Sequence, residues 1–355
     1  MQLTFYDIEF IIIYVFLVVI FLTSLRKKTD YSAMGDDIDL NMSKAIKGIA
    51  CVMILTAHWG QRRFDPEMSW GISRVVWIFS ANIALCWFIF FSGYGLTLKT
   101  YKTEELLVPI WAKRMKKVYL PLLITCVVCT IGYALLPSIY SIDESTDLWV
   151  SKDIYYLHHL SWNHICILLP HVLGWRDWYV LCIIVFYSLF YLSLWLNRKT
   201  NHCQTTWLFV LLCLYYIMAF WIFGRLEAHF YRYCWVFFIS HVIAKWKTYD
   251  DKKRPLMMSI ILCITLLMES KLMLLSFFIA IIIIVLVSII NELYAVKGKL
   301  ILLLGSISYF FYLLHTRICY TLMVYMGANS IIVWVLLTAA FSWIINYLYN
   351  KLLYR

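Results

Sequence analysis

The chain has 355 residues, of which 63% are hydrophobic and only 14% are charged, and its mean hydropathy is +0.78. This composition excludes an ordinary water-soluble domain and indicates a protein that crosses a membrane many times. The formal net charge of +11 does not indicate nucleic-acid binding, because the basic residues fall in short loops between apolar runs.

The chain contains about eleven long apolar runs. Each is predicted to be a transmembrane helix, because a bilayer core of about 30 Å takes roughly 20 apolar residues per helix. The runs are residues 7–25, 44–60, 73–97, 118–136, 178–196, 206–223, 230–247, 255–268, 271–290, 300–322 and 329–349. The eighth and ninth are separated only by "ESK" and form either two spans or one kinked element. The tenth carries Gly305, His315 and Arg317, so it is expected to be broken or to line a cavity. The predicted fold is an all-α polytopic membrane protein.

The basic residues also predict the orientation of the chain. With the C-terminal end of the first run in the cytoplasm, 21 of the 31 Lys and Arg residues lie on the cytoplasmic side and 8 on the opposite side. Lys47 and Arg317 lie within spans. By the positive-inside rule, the N-terminus is expected outside and the C-terminus in the cytoplasm. The first run lacks the features of a cleaved signal and is expected to remain as a helix.

The longest connection, residues 137–177, is then external, and its aromatic content favours a re-entrant or interfacial segment. It contains four histidines whose spacing fits no familiar metal site and favours a solvated or interfacial cluster: His158, His159, His164 and His171. Cys126 and Cys129 lie inside an apolar run, where buried packing is the expected role. No metal site is predicted.

The stretch "KAIKGIACVMILTAHWG", residues 44–60, places Lys47 and His58 eleven residues apart. On an α-helix this spacing leaves the two side chains about 20° apart on one face and about 16 Å apart along the axis. Ionisable groups at membrane depth usually face a cavity or a partner. The alternative is a lysine that extends to the membrane surface and an interfacial histidine beside Trp59.

Two later segments add polar groups near the predicted cytoplasmic side. In "CWFIFFSGYGLTLK", a Ser-Gly pair followed by tyrosine permits the close approach of a ligand or of another helix: Ser92, Gly93 and Tyr94. In "WAKRMKKVYLPLL", Arg114 and Lys117 share a helix face, and with Lys113 and Lys116 they form a basic cluster. That cluster binds phosphates or serves only as an orientation signal beside anionic headgroups.

Taken in order, these segments resemble the acyltransferase-3 family of integral membrane acyltransferases. The family's basic residue and histidine separated by ten positions appear as "KGIACVMILTAH", its "FFxxSGF" as "WFIFFSGY", and its paired basic residues before "yP" as Arg114 and Lys117 before "VYLP". Further echoes are "WRDWYVLCIIVFY", "YRYCWVFFISH" and "SISYFFYLLH". Lysine replaces the commoner arginine at 47 and 117, and tyrosine replaces phenylalanine at 94; lysine is the poorer bidentate phosphate ligand.

The resemblance covers ten of the eleven helices and implies a membrane acyltransferase domain over residues 44–355. Residues 1–43 are then an extra N-terminal helix and a cytoplasmic linker. The implied reaction moves an acyl group, most commonly acetyl, from cytoplasmic acyl-CoA to a hydroxyl of an extracytoplasmic carbohydrate at a bacterial cytoplasmic membrane. The chain ends just past the last span, so direct transfer or hand-over to a separate extracytoplasmic partner both remain open.

For this chemistry His58 is the expected general base, and an acyl-histidine intermediate is a second route. The expected acyl-CoA site comprises Lys47, Ser92, Gly93, Tyr94, Lys113, Arg114 and Lys117. The candidates on the acceptor side are His315, Arg317 and Arg232. His241 is expected to be a packed histidine with a hydrogen-bonded partner.

A transporter or flippase for a carbohydrate or small molecule is the alternative from another class. It shares many helices, buried charges and a broken span with an acyltransferase. A cytoplasmic phosphate-binding set paired with one deep histidine favours the enzyme. Internal repeats, which many transporters have, are not visible in the sequence.

Overall fold

A computed structural model describes residues 5–28, 38–63, 72–101, 107–135, 155–175, 177–200, 203–224, 229–246, 271–325, 327 and 330–353. About 91% of these described residues are helical, and they contain no sheet core, so the all-α prediction is confirmed. The helices are α1 (Phe5–Ser24), α2 (Leu40–Arg63), α3 (Ile72–Tyr101), α4 (Leu107–Leu135), α5 (Trp162–Val172), α6 (Trp178–Thr200), α7 (Gln204–Phe223), α8 (His229–Arg232), α9 (Cys234–Lys245), α10 (Lys271–Leu293), α11 (Lys299–Leu314), α12 (Tyr320–Tyr325) and α13 (Ile331–Leu353). A π-helical segment, His315–Cys319, joins α11 to α12.

Within the described part of the chain, eight helical stretches are long and apolar enough to cross a membrane. They are Asp7–Ser24, Leu40–Gly60, Phe79–Thr100, Pro109–Leu135, Trp178–Thr200, Gln204–Phe223, Lys299–Met323 and Ile331–Leu352. The predicted count of eleven is therefore not confirmed. The run 230–247 forms the short helices α8 and α9, the apolar part of α10 is shorter than a full span, and 255–268 lies outside the described residues.

Helices α2 and α3 lie at the centre of the bundle. In their apolar stretches 72% of the residues are buried, against 17% in α7 and 22% in α13. Helix α2 packs on α3 and α11, while α3 also contacts α9 and α10. The central position of α2 explains how a helix with a lysine and a histidine can cross the bilayer, because its polar groups face protein instead of lipid.

A close crossing of α2 and α11 depends on two glycines. A Cβ at Gly305 would lie 2.1 Å from the carbonyl oxygen of Lys44, and a Cβ at Gly48 would lie 2.8 Å from the backbone nitrogen of Gly305. No side chain fits at such distances, so the two backbones touch directly, as small residues allow between membrane helices.

Gly305→Ala is expected to lower the free energy of unfolding by about 1–3 kcal/mol, because the added methyl group forces α2 and α11 apart. Reversible unfolding in mixed detergent micelles, followed by circular dichroism, measures the change. Gly132→Ala in α4 is the matched control, since a Cβ there has no atom within 4 Å. Equal stability of the two variants would contradict the close crossing.

A short β-ribbon ties α1 to the rest of the bundle. Strand β1 (Leu25–Lys27) pairs antiparallel with β2 (Tyr294–Val296), with Leu25 opposite Val296. The Nζ of Lys28 also donates to the carbonyl oxygen of Asn291 at 2.5 Å. These contacts join the end of α1 to the connection between α10 and α11, and nothing in the sequence pattern indicated them.

Candidate active site

Lys47 and His58 lie on one helix, because α2 is continuously α-helical from Leu40 to Arg63. The eleven-residue spacing therefore places them on one face, about 16 Å apart along the axis. Both side chains are half-buried, whereas Ala57 and Trp59 on either side of His58 are buried. One face of this central helix thus presents a cation near one end and an imidazole near the other.

The imidazole of His58 lies against the ring of His315. Their ring centroids are 5.1 Å apart, with an angle of 36° between the planes. His315 is 2% exposed and is the first residue of the π-helical segment. Single π turns inside helices are rare and occur frequently at functional sites, since the extra residue turns side chains out of α-helical register. The tenth predicted span is therefore irregular where its polar residues lie.

Hydrogen bonds determine the orientation of His315. Its Nδ1 is 2.6 Å from the carbonyl oxygen of Tyr312. Because a carbonyl oxygen only accepts, Nδ1 carries the proton of this hydrogen bond, and Nε2 is the nitrogen that can accept when the ring is neutral. The carbonyl oxygen of His315 accepts from Trp334 Nε1 at 2.8 Å, and the Trp334 ring lies 5.7 Å from that of Trp59. Trp334 thus joins the segments that carry the two histidines.

Arg317 forms an ion pair with Asp177, the residue that precedes α6. The side chains of both are 17% exposed. Cys126, Cys129 and Tyr133 lie near the guanidinium. Burial raises the pKa of the Asp177 carboxyl, while Arg317 opposes that rise. Asp177 was not among the sequence candidates. The sequence feature that could have indicated it is an acidic residue in "WRDWYVL", directly before a predicted span.

At the other end of the α2 face, Lys47 lies within electrostatic range of two further cations. Arg114 and Lys44 are the charged neighbours of Lys47. The hydroxyl of Tyr191 on α6 lies beside Arg114. No carboxylate among the described residues forms an ion pair with any of the three cations. Like charges held close together without a counter-charge favour an anionic ligand.

The remaining basic residues of this segment are more exposed than Arg114, and their contact with acyl-CoA stays a prediction. Lys113 and Lys117 are exposed on α4, whereas Arg114 is half-buried. Sequence spacing predicted a shared face for Arg114 and Lys117. In the folded bundle, Arg114 is the member of this segment that lies next to Lys47.

The Ser-Gly-Tyr segment of α3 contributes mainly to helix packing. A Cβ at Gly93 would lie 2.1 Å from the Oγ of Ser240 on α9, so α9 fills the space beside this glycine. The Tyr94 hydroxyl accepts from the backbone nitrogen of Ile38 at 3.3 Å, and its ring stacks on Phe90. Ser92 is half-buried. The close approach that Gly93 permits is therefore that of a neighbouring helix, and a ligand contact for Ser92 stays a prediction.

Arg232 ends the short helix α8 and is half-buried. Its Nε is buried and has no hydrogen-bond partner among the described residues. Aromatic rings surround this part of the chain: Trp178 lies 6.1 Å from Tyr233 and 4.7 Å from His229, measured between ring centroids. Trp178 follows Asp177 directly, so this aromatic group adjoins the ion pair with Arg317.

His241 is a packed histidine, as the sequence predicted. It is fully buried, and its two ring nitrogens lie 2.9 Å from Thr97 Oγ1 and 3.1 Å from Thr205 Oγ1. These bonds join α3, α7 and α9. Cys126 and Cys129 are likewise buried, which confirms their predicted packing role.

The histidines between α4 and α6 are held by local contacts. His159 stacks on Tyr155 with 4.3 Å between ring centroids, and His164 lies 4.6 Å from Tyr156. His171 is buried in α5. In the part of the chain that the structure describes, no group of three or more His, Cys, Asp or Glu residues has the geometry of a metal site.

Comparison with known proteins is consistent with this arrangement. The family model described as "Acyltransferase domain", that of the acyltransferase-3 family, matches residues 40–349. No curated protein and no solved structure matches the chain. The match includes α2 to α12 and most of α13, and leaves α1 outside it. The chain belongs to the acyltransferase-3 family and, with its membrane-spanning helices, is a membrane acyltransferase.

Proposed function

We propose that this protein transfers an acyl group, most commonly acetyl, from cytoplasmic acyl-CoA to a hydroxyl of an extracytoplasmic carbohydrate. One observation carries the proposal: a single face of the central helix α2 has, at one end, cations that no carboxylate of the described residues pairs with, and, at the other end, the His58–His315 pair. An acyltransferase that receives its two substrates from opposite sides of a membrane needs both features. The predicted orientation puts the cations on the cytoplasmic side.

The cation cluster of Lys44, Lys47 and Arg114 suits the phosphates of CoA. Guanidinium groups bind phosphate through two parallel hydrogen bonds, and lysines add compact positive charge. A bound polyanion removes the mutual repulsion of the three cations. The pantetheine arm then has to follow the α2 face for about 16 Å to bring the thioester to His58.

At His58 the reaction is the transfer of an acyl group from sulfur to oxygen. His58 accepts the proton of the acceptor hydroxyl as the oxygen attacks the thioester carbonyl. The new carbon–oxygen bond forms, the carbon–sulfur bond breaks, and the thiolate leaves. The thiolate takes the proton back from the imidazolium, so the products are the ester and free CoA, with no net proton change.

The acceptor is expected to approach past the residues beyond His58. His315 adjoins His58, and the Arg317–Asp177 pair and Arg232 provide charged groups near the same end. A carbohydrate presents hydroxyls that such groups hold in place, and Arg232 suits an acidic sugar. The expected location is a bacterial cytoplasmic membrane, with the N-terminus outside. Transfer to the carbohydrate is either direct or through a separate extracytoplasmic partner.

The test uses acetyl-CoA labelled in its acetyl group and membrane vesicles that carry the protein and its native envelope carbohydrate. We expect free CoA thiol to appear together with label in an alkali-labile ester, and label to appear only when acetyl-CoA is supplied to the cytoplasmic face. Movement of labelled carbohydrate without consumption of acetyl-CoA would instead favour the transporter.

In the same assay, Arg114→Ala is expected to raise the KM for acetyl-CoA about tenfold or more with little change in kcat, because the lost interaction is with phosphates. Lys116→Ala is the matched control, since Lys116 is an exposed cation on the same helix. The effect should shrink at high salt, as expected for a charge interaction. Equal KM values for the two variants would remove Arg114 from the site.

A further inference from the structure

We infer that α1, which lies outside the family match, positions the His58–His315 pair through Tyr14 and Glu9. The match begins at residue 40, so α1 precedes the matched region. Much of α1 faces outward, with Phe5, Val15 and Leu22 among its exposed residues. Its inward face nevertheless carries polar groups that bond to three other helices.

Tyr14 makes the first of these connections. Its hydroxyl lies 2.9 Å from Thr56 Oγ1 on α2 and 2.6 Å from Ser80 Oγ on α3. Thr56 is buried and precedes His58 by two residues. Residues two apart on a helix project in nearly opposite directions. The bond to Thr56 therefore attaches the face of α2 opposite His58 to α1, while His58 itself faces His315. It thereby limits rotation of α2 about its axis at the level of His58.

Glu9 makes the second connection, to the beginning of α13. One carboxyl oxygen accepts from Ser330 Oγ at 2.5 Å, and the other accepts from the backbone nitrogen of Ile331 at 3.2 Å. Glu9 is only 3% exposed. A carboxylate at a helix N-terminus satisfies open backbone donors and complements the positive end of the helix dipole. Glu9 of α1 therefore caps the N-terminus of α13.

The cap determines where Trp334 lies, one turn into α13. Trp334 is fully buried and donates to the carbonyl oxygen of His315, which also accepts from the backbone nitrogen of Tyr320 in the π turn. Glu9 is thus connected through Trp334 to the backbone of His315, while Tyr14 is connected through α2 to His58. Helix α1 is therefore connected to His58 through Tyr14 and to His315 through Glu9.

The test compares Tyr14→Phe, Glu9→Ala and Glu9→Gln. We expect kcat to fall about tenfold in Tyr14→Phe and Glu9→Ala, because small displacements of catalytic groups are costly. The KM for acetyl-CoA should not change, since the cation cluster lies at the far end of α2. Glu9→Gln should recover part of the loss, as its amide oxygen accepts one of the two hydrogen bonds.

Thr23→Ala is the matched control, because among the described residues the Thr23 hydroxyl bonds only to carbonyls of α1 itself. A second readout does not depend on catalysis: the rate at which diethyl pyrocarbonate modifies His58, measured by peptide mass spectrometry on folded protein. We expect faster modification in Tyr14→Phe and Glu9→Ala than in Thr23→Ala.

The kinetic readout rests on the proposed function, whereas the modification rate does not. Absence of acyl transfer in the unmodified protein would reject the proposed function and leave the modification rates to decide the role of α1. Unchanged modification rates, or losses in kcat that merely follow the folded fraction, would overturn the inference. If Glu9→Ala fails to fold, Tyr14→Phe decides, because it removes one hydroxyl and keeps the ring.

Discussion

His58→Ala is expected to reduce acyl transfer by about 10²- to 10⁴-fold, which is the usual contribution of a positioned general base. The neighbouring His315 is not expected to substitute for it. Its Nδ1 donates to the carbonyl oxygen of Tyr312 and its backbone is held by Trp334, so its ring cannot move into the position that the His58 imidazole leaves. The loss should appear in kcat, while the KM for acetyl-CoA stays unchanged, because the cation cluster is left intact.

His159→Ala, the same change at an exposed histidine before α5, is the control for the removal of an imidazole. Vesicles with equal amounts of folded protein give the comparison. A second measurement separates the two possible routes: an acid quench followed by mass spectrometry detects an acetyl group on His58 if an acyl-histidine forms. Full activity of His58→Ala would reject both routes.

Asp177→Ala is expected to lower the free energy of unfolding by about 3–5 kcal/mol, because it leaves the Arg317 guanidinium buried without its counter-charge. The pair links the start of α6 to the π-helical segment, so activity should fall as well. Unfolding in mixed micelles measures the stability. Glu292→Ala, which removes an exposed carboxylate, is the control and is expected to change stability by less than about 0.5 kcal/mol.

A double variant, Asp177→Leu with Arg317→Met, sharpens this test. Removing both charges together eliminates the unpaired guanidinium, so most of the lost stability should return, as it does for buried pairs replaced by apolar groups. Activity should not return with it if Arg317 also contacts the acceptor. A single Asp177→Ala variant as stable as Glu292→Ala would show that the pair does not hold the π segment.

Much of the fold follows from local properties of the sequence. Apolar runs near 20 residues identify membrane helices whatever their neighbours, because the cost of burying backbone polar groups in lipid leaves few alternatives. The run 230–247 shows the limit. Its hydropathy resembles that of a span, yet it forms α8 and α9, because the break at Tyr233 depends on its packing against other helices.

In the candidate site, too, some features follow from the sequence and others from packing. The spacing of Lys47 and His58 alone determined that they share a face, since helix geometry depends only on their separation along the chain. The sequence could not select Arg114 over Lys113 and Lys117 as the neighbour of Lys47. That choice depends on how α4 is rotated against α2 and α6, which is a property of packing.

From its residues alone, the sequence determined the class of this protein: a polytopic helical membrane protein with the ordered motifs of an acyltransferase. Only the tertiary structure decided that His315 adjoins His58, that Asp177 pairs with Arg317, and that α9 fills the space beside Gly93. The partners in each case are well over a hundred residues apart along the chain. Hydropathy and spacing describe one helix at a time, whereas contacts between distant helices arise from side-chain packing across the whole bundle.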